Sequence, residues 1–312
     1  MSSMKERIHR RDLLKAAAGV AATLGMAGRM PAAGAGMFVS LNGSLTRKMA
    51  WPDFARLAAR LGYGGADVNL SGAMKEGLDA TRALLAELKI RPGIVSLPVG
   101  FSRDEETFQT GVKQLDEAAK FAEAIACPRM MAVMPPSSQT PKAELREIFK
   151  GRLAAISEIL LRSNVRLGLE FLGPLYMRTR LPHEFLWRME ETLDFAKECG
   201  PNIGLTLDAW HWHHAGASAA DIVGAGKSRI VHVHVSDAAK MAPEEVRDNQ
   251  RLMPGEGVID LAAFFRALQK IGYQDAISPE PLGRIPPDMS PEDGARLGLE
   301  TTVAVMRKAG VA

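Results

Sequence analysis

The chain has 312 residues, of which 46 % are hydrophobic and 24 % charged, an ordinary balance for a globular protein. That length accommodates one large α/β barrel or two ordinary domains. The formal net charge is +3, and much of the excess lies in the first fifteen residues, which excludes the broad basic footprint of a nucleic-acid-binding protein. Cys127 and Cys199, far apart in an α/β pattern, read as buried thiols rather than a disulfide framework.

The chain begins with HRRDLLKAAAGVAATLGMAG from His9: Arg10 and Arg11, then Leu13, Leu14, Lys15 and a weakly hydrophobic Ala/Gly/Leu run. This resembles a twin-arginine export signal, with His9 where Ser or Thr is usual, and Ala33-Gly34-Ala35 supplies a small-residue cleavage site. The expectation is a signal over 1–35, a mature domain over 36–312, the twin-arginine translocation machinery as a partner, and a periplasmic or otherwise exported product. That route carries folded proteins, often with the metal already taken up. No later run approaches the ~20 apolar residues that span a bilayer.

Downstream, short β-rich runs alternate with longer amphipathic segments. Strands are predicted at 37–42, 65–70, 93–99, 129–135, 165–171, 203–208, 230–237 and 276–281. The helical patterns between them are WPDFARLAARLG, TRALLAELK, GVKQLDEAAKFAEAI, RLAAISEILLRS, HEFLWRMEETLDFAKECG and DLAAFFRALQKIG, with apolar residues three and four apart. Eight strands separated by helices over about 275 residues match a single (β/α)8 TIM barrel. No Gly-rich dinucleotide fingerprint follows the first strand, which weakens the doubly wound alternative. The Pro-rich stretches 134–141 and 281–291 fall in loops after strands 4 and 8.

Barrel strands are apolar on both faces except for inward residues at their C-terminal ends, where such enzymes build their sites. Period-2 alternation turns Leu167, Leu169, Leu205, Leu207, Val231, Val233, Val235 and Ile277 outward. It turns Gly168 and Glu170, Thr206 and Asp208, His232 and His234, and Ser278 and Glu280 inward. Strands 5 to 8 thus deliver Glu170, Asp208, His234 and Glu280 to one rim. Three converging carboxylates repel and raise one another's pKa unless a cation joins them. A set of three oxygens and one nitrogen suits one divalent ion, Mn²⁺ or Co²⁺ first, then Mg²⁺, Fe²⁺ or Zn²⁺. Taken singly, each residue also reads as an ion-paired or hydrogen-bonded core group; four strand ends agreeing in position and ligand type favour the metal.

The segments LEFLGP around Glu170, LDAWHWHHAG around Asp208, IVHVHVSDA around His234, PGEGVID at 254–260 and SPEP around Glu280 carry a family resemblance. With LARLGYGGADV at 57–68, they make the whole mature chain similar to the xylose isomerase-like TIM barrel superfamily, in its sugar isomerase and epimerase branch. The resemblance implies that Glu170, Asp208, His234 and Glu280 bind one divalent metal and that Glu170 and Glu280 transfer the proton. It also implies that His211, three residues after Asp208, lies beside the substrate, and it points to Lys240 as the basic residue that follows the strand-7 histidine. Five of the seven histidines lie between His211 and His234. His232, one inward step below His234, reads as a support for the ligands or a core group. His213 and His214 read as loop residues. Trp210 and Trp212 read as an apolar wall for a sugar ring or as packing beneath the loop. Arg178, Arg180 and Arg284 rise on loops over the same face as clamps for an anionic or hydroxyl-rich substrate, or as solvated loop charge. Glu256 reads as a turn residue that supports the site.

These readings favour abstraction of a proton next to a carbonyl, through a metal-stabilised enediolate. The substrate is a non-phosphorylated sugar, cyclitol or keto-sugar, because sugar phosphates are scarce outside the cytoplasm. Epimerisation, aldose–ketose isomerisation and β-elimination all use this ligand set; an isomerase or epimerase is the first reading and an elimination lyase the second. A metal-dependent sugar-binding protein is the non-catalytic alternative, and it has little need of both Glu170 and Glu280. Oligomeric state is open, with a homo-oligomer allowed.

Overall fold

A computed structural model describes residues 36–312 apart from residue 47, so the signal segment read over 1–35 lies outside the described residues. Eight strands form the barrel: β1 (Phe38–Leu41), β2 (Gly65–Val68), β3 (Arg91–Ser96), β4 (Arg129–Val133), β5 (Arg166–Glu170), β6 (Ile203–Asp208), β7 (Ile230–Val235) and β8 (Ala276–Pro279). They close in chain order, each parallel to its neighbours, with β8 returning to β1. Each overlaps its sequence-predicted counterpart.

The helices are α1 (Trp51–Leu61), α2 (Leu70–Glu76), α3 (Leu78–Leu88), α4 (Glu105–Ala124), α5 (Lys142–Leu161), α6 (Leu175–Arg178), α7 (Met189–Cys199), α8 (Ala209–His214), α9 (Ala219–Ala225), α10 (Leu261–Lys270) and α11 (Pro291–Lys308). In α1, Trp51, Phe54, Ala55, Leu57 and Ala58 form the buried stripe, and Gly62 at φ 89 ends the helix in the left-handed region. The predicted outward residues of β5 to β8 are all buried between strands and helices. Among the described residues no helix is long and apolar enough to cross a membrane. Cys127 and Cys199 are free and buried.

Two segments depart from the sequence reading. The helix expected over 183–200 begins only at Met189, because His183–Glu184 pairs antiparallel with Ser137–Ser138. The loop expected after Asp208 is the helix α8, which Asp208 itself caps by accepting from the backbone N–H groups of Trp210 (2.7 Å) and His211 (3.1 Å).

The end of the barrel away from the ligands is closed by Arg129, which donates to the carbonyls of Pro92 and Gly93 and pairs with Asp275 at 2.8 Å. Higher up, Gly168 faces Thr206 so closely that an added Cβ would stand 2.4 Å from its Oγ1 and 2.9 Å from its backbone nitrogen. Gly168→Ala is expected to cost about 1–3 kcal/mol of stability by overpacking. Denaturant unfolding checks this, and an unchanged midpoint would refute the close approach.

Candidate metal centre

The register of the barrel sets the ligands at one height. Asp208 pairs with His234 across β6 and β7, and Ser278 with His234 across β7 and β8. Glu280 follows β8 and is held by its backbone N–H donating to the Val235 carbonyl at 2.9 Å. One ligand atom each from Glu170, Asp208, His234 and Glu280 falls within 4.8 Å of the other three. His234 Nδ1 lies 2.8 Å from Glu170 Oε1, 3.5 Å from Glu280 Oε2 and 4.0 Å from Asp208 Oδ2. The sequence-predicted set is therefore assembled, and the first three residues are fully buried.

A residue the sequence reading missed completes the cluster. Arg251, on the loop between β7 and α10, is 2 % exposed. Its Nη1 donates to Asp208 Oδ2 at 2.8 Å and to Glu280 Oε2 at 3.1 Å. Its Nη2 and Nε bind Asp248 Oδ1 at 2.7 and 2.9 Å, and Nη2 lies 3.1 Å from His211 Nε2. The loop is anchored where Asp237 and Leu252 exchange backbone hydrogen bonds, and Asp237 also accepts from the N–H groups of Ala238, Gly255 and Ile259. This explains PGEGVID as a turn cinched onto one carboxylate: Gly255 sits at φ 90, and a Cβ at Gly257 would meet the Ala238 carbonyl at 2.2 Å.

The charges shift one another in consistent directions. Burial opposes protonation of His234, but Glu280, Glu170 and Asp208 outweigh it and lift its pKa to about 10. Burial raises Glu280 to about 7, with Glu170 and Asp208 adding to that and His234 and Arg251 opposing it. Burial would also raise Asp208, but Arg251, His211 and His234 hold it well below the usual carboxylate range. His211 drops to about 3, mainly by burial, so it stands neutral beside the guanidinium. Three carboxylates that drag a histidine to its charged form call for a cation, and their donor set fits one divalent ion of the hard or borderline class.

Below the ligands, His232 is fully buried with neither ring nitrogen hydrogen-bonded. Asp67 of β2, also missed from the sequence, has an oxygen within 4.8 Å of nitrogens of both His232 and His234. Its carboxylate accepts from Ser40 Oγ (2.7 Å), Ser278 Oγ (2.8 Å) and Asn42 Nδ2 (3.0 Å), tying β1, β2 and β8 together under the site.

Several expected contacts fall elsewhere. Trp210 is 1 % exposed and packs on His214 at 4.4 Å and under Arg251 at 4.8 Å, so it is packing and not a substrate wall. Trp212 is likewise buried, against Phe264. Glu256 braces the turn by pairing with Arg284 at 3.0 Å and accepting from the Met253 N–H, away from the ligands, and Arg284 is thereby engaged. Arg180 is exposed. Lys240 and Arg178 line a different cavity from the one that reaches His234 and Glu280. That latter cavity, of about 290 Å³, opens over the β1 to β4 side, where Asn42, Lys48, Trp51, Asp67 and Met131 line it.

Fold and site together define a (β/α)8 barrel carrying one buried three-carboxylate, one-histidine cluster at the C-terminal face of its strands. The chain belongs to the xylose isomerase-like TIM barrel family, whose model matches residues 55–307. Among curated proteins it is similar to the inosose isomerase of Halalkalibacterium halodurans, 26 % identical over 234 residues that span 74 % of this chain and 80 % of the relative. Among solved structures it resembles a xylose isomerase domain protein from Alicyclobacillus acidocaldarius, with a TM-score of 0.81 and 26 % identity over 88 % of this chain and 99 % of that one. The IolI protein, solved with a bound zinc atom, shares the fold at a TM-score of 0.74 and 24 % identity over 88 % of this chain and 99 % of that one. The chain is an enzyme of the isomerase and epimerase class.

Proposed function

We propose that the protein is a divalent-metal-dependent isomerase or epimerase of a non-phosphorylated sugar, cyclitol or keto-sugar. The observation that carries this reading is the pair Glu170 and Glu280, both within 3.5 Å of one His234 nitrogen and approaching it from strands on opposite sides of β7. Glu170, Asp208, His234 and Glu280 would hold the ion, Mn²⁺ or Co²⁺ by the donor set. When bound, it supplies Lewis acidity to the carbonyl and hydroxyl oxygens of the substrate. One glutamate takes the proton from the carbon next to the carbonyl, and the other returns a proton at the opposite face or the adjacent carbon. Arg251 holds Asp208 and Glu280 in place beside His211, which burial keeps neutral.

The size of the reaching cavity supports a small substrate. Its 290 Å³ sits at the small end of the roughly 300–1,000 Å³ typical of small-molecule sites. Trp51 lines this cavity, and its buried Nε1–H has no hydrogen-bond partner among the described residues.

Mass spectrometry in D₂O tests this reading on the metal-loaded protein with ketoses, aldoses, cyclitol ketones and 3-keto-glycosides. The expected result is deuterium gained at carbon, reduced at least about 10³-fold in Glu170→Gln. Loss of water or aglycone with the exchange would reassign the chemistry to elimination. No exchange with any of these substrates despite bound metal would overturn the reading in favour of a binding protein.

Export through the twin-arginine route is part of the same proposal, resting on Arg10 and Arg11 and the run that follows. Fractionation of cells expressing the full chain should find it outside the cytoplasm, and Arg10→Lys with Arg11→Lys should retain it inside. Equal distribution of both forms would refute export by this route.

A further inference from the structure

A second cavity, of about 520 Å³, lies on the same end of the barrel, over β5 to β7. Three separate segments bring cationic or donor side chains to it: Arg178 from α6, His213 and His214 from α8, and Lys240 from the loop after β7. Among the described residues no aspartate or glutamate lines it.

Some cations at the protein surface are already compensated. Arg60, Arg152 and Arg284 each hold a carboxylate within 3.0 Å. Among the described residues Arg178 and Lys240 have no ion pair. The Arg178 guanidinium carbon lies over the Trp187 ring at 3.7 Å from its centroid, and its buried Nε has no acceptor among the described residues. His214 Nε2 is likewise buried without a hydrogen-bond partner. Oriented, uncompensated donors in a half-enclosed space attract an oxyanion more strongly than freely solvated ones, because the charge-assisted bonds form at lower dielectric.

The cavity is also apolar in a way that chooses among anions. Met241 and Val258, 37 % and 50 % exposed, are among the few large exposed hydrophobic side chains, and both line it, together with Leu175 and Pro243. An inorganic ion would leave these surfaces in water. A molecule with an acidic head and an apolar body covers both kinds of surface.

We propose that this cavity is a binding site for a small organic anion, a carboxylate or phosphate monoester with an apolar body, distinct from the cavity that reaches the metal cluster. Its acidic group meets Arg178 and Lys240, and its body lies against Met241 and Val258. Trp210 touches His214 on the cavity and Arg251 at the cluster, so it provides a built-in optical reporter of occupancy.

Tryptophan fluorescence and calorimetry of the metal-loaded protein test the site, with benzoate, phenyl phosphate, inorganic phosphate and neutral benzyl alcohol as probes. Saturable binding of benzoate or phenyl phosphate is expected, at least about tenfold tighter than benzyl alcohol and inorganic phosphate. Whichever of the two acids binds tighter identifies the acidic group. Arg178→Met and Lys240→Met should each weaken binding about tenfold, while Arg180→Met on the neighbouring exposed position should not. Glu170→Gln should leave it unchanged, which separates this site from the metal-centre reading. No saturable binding, equal binding of acid and alcohol, or indifference to both Arg178→Met and Lys240→Met would overturn the proposal.

Discussion

Arg251→Met is expected to lower the stability of the metal-free protein by about 3–5 kcal/mol, and a saturating divalent ion is expected to restore most of that loss. Arg251 is one of the most deeply buried charges in the structure, and its guanidinium spans Asp208 and Glu280 at 2.8 and 3.1 Å. Methionine fills similar space with no charge, so Asp208 loses its guanidinium partner while fully buried and Glu280 loses it while largely buried. A divalent cation among the same oxygens supplies the missing charge. By reciprocity, restoring about 3 kcal/mol means that the variant binds the ion on the order of a hundredfold more tightly than the parent. Urea unfolding with a chelator and then with Mn²⁺ measures both halves. A loss under about 1 kcal/mol in chelator, or a gap that Mn²⁺ does not narrow, would show that Arg251 is not what compensates the cluster.

Arg251 was also the residue hardest to find in the sequence. Glu170, Asp208, His234 and Glu280 were legible because each ends a strand whose alternation is clean, so that period 2 fixes its direction. Arg251 comes seventeen residues after His234 in a loop with no periodicity, and it reaches the site only because the Asp237–Leu252 bridge folds the loop back. The one available signal was the PGEG turn immediately after it. Lys240 was the nearer cation in sequence, and proximity along a loop proved a poor guide to position. Asp67 was a different kind of omission. The alternation in GADVNL points it inward by the same rule that finds the ligands, but it lies within the strand rather than at its C-terminal end.

The fold was legible for similar reasons. Strand runs bounded by turns and helices with three-and-four spacing gave all eight strands in order. Two helices that the apolar spacing does not announce are specified by their caps. α8 is six residues long, too short for a periodic pattern, and depends on the Asp208 carboxylate at its N-terminus. α11 announces itself through Ser290, whose Oγ accepts from the Asp293 N–H, and through Pro291 at its start, while its apolar stripe is diluted by Gly294 and Gly298. Both glycines are needed there, since a Cβ on either would come within 2.4 Å of Leu45.

Binding of the metal is expected to release about one proton per ion near pH 8, rising toward two near pH 6. His234, held at about 10 by Glu280, Glu170 and Asp208 against burial, is charged in the metal-free protein and must lose its proton to serve as a ligand. Glu280, near 7, carries a second proton at lower pH. Affinity should therefore climb about tenfold per pH unit between 7 and 10, and more steeply below 7. The sign for folding is opposite in the metal-free form. His234 has its pKa raised above the ordinary 6.5, so its contribution to stability is fully present below 6.5 and is lost as pH rises through about 10. The bound and free forms should thus separate in melting temperature as pH increases, because one gains what the other loses. Calorimetric titration of the metal-free protein with Mn²⁺ in buffers of different ionisation enthalpy counts the protons directly. Heats independent of the buffer at pH 8 would mean that His234 is already neutral and that Arg251 alone balances the three carboxylates.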